Sequence, residues 1–178
     1  MSHNQAIVVI DMQRGLVLGA YRQDDLVATV NGLIARGRAA GVPVVFVQHN
    51  HATFEPMMRG NRGWEIFEEL DRQADDPVVE KEACDAFYET TLDATLKDLG
   101  VKELLITGLQ TEYCVDTACR AALSNGYDVV LVEDGHSTGD ADLPAQEIVR
   151  HHNALLANMV HPSAKIRVVP ADEVTIGH

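Results

Sequence analysis

Three reactive side chains stand directly after runs of apolar residues. Asp11 follows Ala6-Ile7-Val8-Val9-Ile10, and Lys81 follows the short run Val78-Val79-Glu80. Cys114 follows Glu103-Leu104-Leu105-Ile106-Thr107 across the turn that runs from Gly108 to Tyr113. Together these residue types can carry out acyl transfer. A thiolate is a strong nucleophile, and an ammonium beside it favours its ionised form. A carboxylate can take the thiol proton and return it to a leaving amine. A cysteine at the start of a helix also meets the positive end of the backbone dipole, and first-turn N–H groups there can receive a developing oxyanion. Each residue alone has a bland reading. Aspartates after strands serve in turns, most buried cysteines are inert, and lysines populate surfaces.

The elements that must bring the three together are read from alternation along the chain. The apolar runs at 6–10, 42–47, 103–107, 129–132 and 166–169 are nearly uninterrupted, which fits strands covered on both faces. Helical patterns lie between them. Asp24-Asp25 can cap a helix carrying Leu26, Val30, Leu33 and Ile34 that closes at Gly41; Thr90-Thr91 precede Leu92, Leu96 and Leu99 before Gly100. A third helix spans 114–125 and ends at Asn125-Gly126, and a fourth runs from Asp142 to about Met159 with Pro144 in its first turn. This β-α-β order predicts a three-layer α/β/α fold around a doubly wound, mostly parallel sheet, whose ligands bind outside the carboxyl ends of the strands. The segment from His51 to Pro77 has no clear strand and is broken by Gly60-Asn61-Arg62-Gly63, so it reads as a lid or a subunit contact.

Composition bounds what the chain can do. At 178 residues it reads as one domain, residues 1–178. A net charge of −13 repels nucleic-acid backbones and anionic membranes, so neither is expected as a partner. No apolar run reaches the ~18 residues of a membrane span, and the N-terminus lacks a basic stretch followed by an apolar core. Three cysteines without CxxC spacing fit a reducing cytoplasm with free thiols. Neither G-x-G-x-x-G nor G-x-x-x-x-G-K-[ST] occurs, which argues against a nucleotide-binding domain. A thiol redox sensor would use Cys114 with no need for Asp11 and Lys81 together.

The chain resembles the isochorismatase-like cysteine hydrolases, a superfamily that includes nicotinamidases, carbamoylsarcosine amidases and ureidoacrylate hydrolases. The resemblance is carried by Asp11-Met12-Gln13, by Lys81 with Phe87, and by the segment from Gly108 to Ala118, close to a G-x-x-T-x-x-C-V-x-x-T element. Asp134-Gly135-His136-Ser137 is similar to a further family segment, and the likeness runs from about residue 6 to residue 170. It implies an isochorismatase-like hydrolase fold and an Asp11–Lys81–Cys114 triad. It also implies a cis peptide at Leu109–Gln110 that aims the Gln110 N–H, with that of Cys114, at the substrate oxygen. The implied activity is hydrolysis of a small-molecule C–N bond through a thioester. True isochorismatases cleave a vinyl ether without a thiol, so Cys114 favours the C–N branch. The family also implies a homodimer or homotetramer.

Gln13, Gln48, His49, Trp64, Phe87 and Tyr113 are the candidate substrate-binding residues. Nicotinamidases carry a D-x-H metal element where this chain has His49-Asn50-His51, with His49 in place of the aspartate. A catalytic metal generally needs three protein ligands, and no third is evident, so neither metal nor other cofactor is expected. Cys119 falls on a different helical face from Cys114, which disfavours a disulfide between them.

Overall fold

The computed structural model describes residues 4–177. Its single sheet is six-stranded and entirely parallel: β1 (Gln5–Ile10), β2 (Val44–His49), β3 (Val78–Lys81), β4 (Glu103–Leu109), β5 (Asp128–Ser137) and β6 (Ile166–Val169). The spatial order is β3-β2-β1-β4-β5-β6. The chain therefore winds one way from β1 and the other way from β4, and the carboxyl ends of those two strands flank the point of reversal. That is where open α/β sheets bind ligands.

Every residue of β1 is buried because both faces of the sheet are covered. Ala6, Val8 and Ile10 pack with α3 (Leu92–Asp98), α4 (Asp116–Ser124) and α5 (Ala145–Ala157). Ile7 and Val9, one residue out of phase, pack with α2 (Gln23–Ala39) and the segment after β6. The predicted elements are all present, with local differences. A single-turn α1 (Arg14–Val17) is additional. Helix α2 starts at Gln23, so Asp24 and Asp25 lie in its first turn and face the dipole instead of capping it. At α3 the N-cap residue is Thr91, but the side chain that accepts the Leu92 N–H, at 3.2 Å, is that of Thr90 before it. Pro144 precedes α5, where Asp140 Oδ1 accepts the Ala145 N–H at 2.8 Å.

Strand β5 runs five residues beyond its apolar run. The register jumps between Ile106 and Gly108, which pair with Leu131 and His136, so Asp134-Gly135-His136-Ser137 belong to the strand instead of following it. At the reversal point Gly108 adopts φ +122°, and a Cβ there would lie 2.0 Å from the carbonyl oxygen of Ile10. Only glycine lets β4 come this close to β1. The irregular segment after β2 contains one short 3-10 turn, Glu55–Met57, and is fastened to the body. Phe67 and Leu70 join the core on the α2 side, Gln13 bridges Ile66, and Arg38 of α2 pairs with Asp76 at 2.8 Å. Its second half is thus part of the packed body.

Candidate active site

Three strand ends deliver the candidate triad. Asp11 leaves β1 with φ +48°, a left-handed turn held by its N–H donating to the Val47 carbonyl at 3.0 Å. Lys81 is the last residue of β3, in register with His49 of β2. Cys114 lies in a π-helical turn, Thr111–Val115, between β4 and α4, not at the start of a regular helix. The Gln110 carbonyl accepts the N–H groups of Tyr113 and Val115 at 3.2 and 3.1 Å, which wraps the turn around the sulfur. The Leu109–Gln110 peptide is cis.

The Lys81 ammonium is the centre of the site. It donates to His49 Nδ1 at 2.7 Å, to the Ala83 carbonyl at 2.9 Å and to Cys114 Sγ at 3.2 Å. Asp11 Oδ2 is 2.9 Å from the same nitrogen, and neither side chain reaches solvent. An ammonium has three hydrogens for these four partners, so Asp11 shares the cation with the other three, and both the Lys81 ammonium and the Cys114 thiol bear on its carboxylate. Ligand atoms of Asp11, His49 and Cys114 lie within 4.8 Å of one another, so carboxylate and thiol are separated by less than the length of one small molecule.

Burial sets the protonation of these groups. It pushes the Cys114 thiol well above its ordinary value; Asp11 pushes the same way, and the Lys81 charge opposes both without overcoming them. Burial also raises the Asp11 carboxyl above the usual carboxylate range despite the lysine. Burial disfavours the Lys81 ammonium, but the Asp11 carboxylate beside it, with the Cys114 sulfur as a further partner, outweighs burial and holds the amine protonated. The proton at rest thus sits on sulfur, and a preformed thiolate, as a solvated helix start would favour, is not the ground state. Asp11, desolvated by burial, is a stronger base than an ordinary carboxylate. His49 is pushed down to about 4, first by burial and then by the neighbouring ammonium. Since Lys81 has only hydrogens to offer, His49 Nδ1 must present its lone pair, and the ring proton sits on Nε2.

A family model described as the isochorismatase domain matches residues 5–166. The chain belongs to the isochorismatase family. It is 36% identical over 144 residues to a streptothricin hydrolase of Streptomyces noursei, covering 79% of this chain and 51% of that protein. The chain thus spans about half the length of that relative. It is 30% identical over 168 residues to nicotinamidase 3 of Arabidopsis thaliana, covering 86% and 79% respectively. A crystal structure of an isochorismatase family protein superposes with a TM-score of 0.82 at 34% identity, covering 93% of this chain and 99% of that one.

Within this isochorismatase-family site, the residues expected to line a pocket divide. His49 is half-buried and touches the triad. Tyr113, beside the nucleophile, is 55% exposed and free to meet a ligand. Gln13 is not free to do so. Its fully buried carboxamide donates to the carbonyls of His49 and Trp64 and accepts the His49 N–H, at 2.9, 2.7 and 2.8 Å. Gln48 is likewise spent on the Trp64 carbonyl at 2.9 Å. Both glutamines clamp the irregular segment to the strand ends, so their role is positional. Phe87 packs on the core and stacks on Tyr127 with ring centroids 5.8 Å apart, which removes it from the pocket. Trp64 is half-buried, with its indole nitrogen buried and unpartnered. A cavity of about 350 Å³ reaches Lys81 and is lined by Arg59, Glu80, Glu82 and Tyr88.

The residues present do not fit a metal. Among the described residues, the one cluster with three candidate ligands is Asp11, His49 and Cys114, and the Lys81 ammonium already contacts all three. His51 Nδ1 accepts the N–H groups of Thr53 and Phe54 and serves as a local turn acceptor. Sequence reasoning left Thr111 and Ala83 without a role. Thr111 was legible only as part of a motif, and the Ala83 contribution is a backbone carbonyl that carries no side-chain signal. All three cysteines are free, Cys84 exposed and Cys114 and Cys119 buried in the same core cluster.

Proposed function

We propose that the chain hydrolyses a C–N bond of the amide, carbamoyl or ureido kind in a small molecule, with Asp11, Lys81 and Cys114 as the catalytic residues. Asp11 takes the thiol proton as Cys114 attacks the carbonyl carbon, while the Lys81 ammonium steadies the sulfur as it becomes anionic. The tetrahedral oxyanion rests on the N–H groups of Gln110 and Cys114. Asp11 then protonates the departing nitrogen, the C–N bond breaks, and a thioester remains on Cys114. A water deprotonated by Asp11 attacks the thioester; the acid leaves, and Asp11 returns the proton to sulfur. The cycle calls on no metal and no other cofactor.

The observation that carries this reading is the buried ammonium touching both a carboxylate and a thiol at the sheet's reversal point. The names of relatives such as nicotinamidase 3 lend support to C–N cleavage. Release of ammonia or amine across a panel of amides and ureido compounds is the test, with Cys114→Ala beside the parent. Release is expected from at least one class and is expected to vanish in the variant with the fold intact. Release that survives the loss of the thiol would reject the mechanism, whereas turnover of a vinyl ether with no release from any amide or ureido compound would favour a cleavage needing no nucleophilic sulfur.

A further inference from the structure

The π-helical turn that holds Cys114 is tied to α5, on the same side of the sheet, through a chain of hydrogen bonds that is buried at its inner end. Asn153 on α5 donates through Nδ2 to the Glu133 carbonyl at 3.1 Å, which fixes its amide with Oδ1 toward His136. His136 Nε2 lies 2.8 Å from that oxygen and must carry the ring proton. His136 Nδ1 is then a lone pair, and it accepts the hydroxyl of Thr111 at 2.8 Å. Every proton in the chain is placed by its neighbours. His136 and Thr111 are both buried, and Thr111 opens the turn whose fourth residue is the candidate nucleophile. A second strut runs from Thr138 Oγ1 to Glu112 Oε1 at 2.9 Å. The extension of β5 is thus the scaffold on which the turn is hung.

We propose that His136 is a positioning residue: through Thr111 it holds the Cys114 sulfur in register with the Lys81 ammonium. The inference rests on the proposed function only for the identity of the nucleophile. Its physical basis is that Cys114 and Lys81 are linked by a single 3.2 Å contact, which a shift of the turn would lengthen. Loss of that contact weakens the one influence that favours the thiolate, while burial and Asp11 continue to oppose it.

The test compares Thr111→Val, which keeps shape and removes the hydroxyl, with Thr111→Ser, which restores it. The readouts are the pH dependence of Cys114 alkylation by iodoacetamide, followed by peptide mass mapping because the exposed Cys84 reacts too, and the separate kcat and KM on whichever substrate the panel yields. In Thr111→Val the alkylation midpoint should move upward and kcat should fall by about tenfold or more with KM little changed, as expected for a misplaced reacting group. Thr111→Ser should recover most of both. Asn153→Leu, at the half-exposed end of the chain, should shift the midpoint in the same direction by less, and it decides the matter if Thr111→Val does not fold. Variants that only melt earlier, with midpoint and kcat as in the parent, would overturn the proposal. If no substrate is found but the midpoint moves as described, the hydrolase reading fails and the positioning role stands.

Discussion

Lys81 has three hydrogens and four neighbours, and most of the chemistry at the site follows from that mismatch. Replacing it by methionine removes the only counter-charge of a buried carboxylate, a change that typically costs about 3–5 kcal/mol. The pH dependence has a definite sign. Without the lysine the Asp11 carboxyl rises further above its unfolded value, so the protonated form is favoured in the fold. Stability from that group is present in acid and lost as pH rises through the folded value. Chemical denaturation of Lys81→Met should therefore show a smaller deficit at pH 5 than at pH 8. Activity follows the base: kcat/KM should climb from acid with a midpoint above the usual carboxylate range, and Asp11→Asn should lose about 10²–10⁴-fold together with that limb. The reactive residue types were legible in the sequence because each follows an apolar run. The protonation state was not, since it depends on desolvation by residues distant along the chain.

At the level of elements, Gly108 and the paired glutamines set the geometry. Gly108→Ala would drive a methyl group into the Ile10 carbonyl at the sheet's reversal point. A loss of stability above about 3 kcal/mol is expected from the positive φ and the clash together, and a melting curve would reveal it. Gln13→Leu strands the backbone partners of its three hydrogen bonds and should cost about 2–3 kcal/mol by the same measurement. The strands were readable because burial on both faces leaves continuous apolar runs. The end of β5 was not, because Glu133-Asp134-Gly135 reads as a loop although a register jump keeps His136 and Ser137 in the sheet. Nor could the clamp be foreseen, as the carbonyls that Gln13 bonds lie 36 and 51 positions away. A single-turn helix such as α1 is too short to show a period.

For the whole molecule, the net charge of −13 concerns association and solubility more than the reaction. No helix among the described residues is long and apolar enough to cross a membrane. Phe54, Tyr88, Tyr113 and Leu143 leave large apolar surfaces in water. The homodimer or homotetramer that the resemblance implies would give them a partner, and light scattering should then return two or four times the mass of one chain. The ammonium shared by carboxylate and thiol has a consequence at this scale too. When the proton passes from sulfur to Asp11, one negative charge vanishes and another appears beside the same cation, so the sum inside the cavity never changes. Folding has already met the full cost of sealing ions away from water, and the reaction only shuffles them. Added salt should accordingly alter how fast a charged ligand is captured while leaving the saturated rate flat.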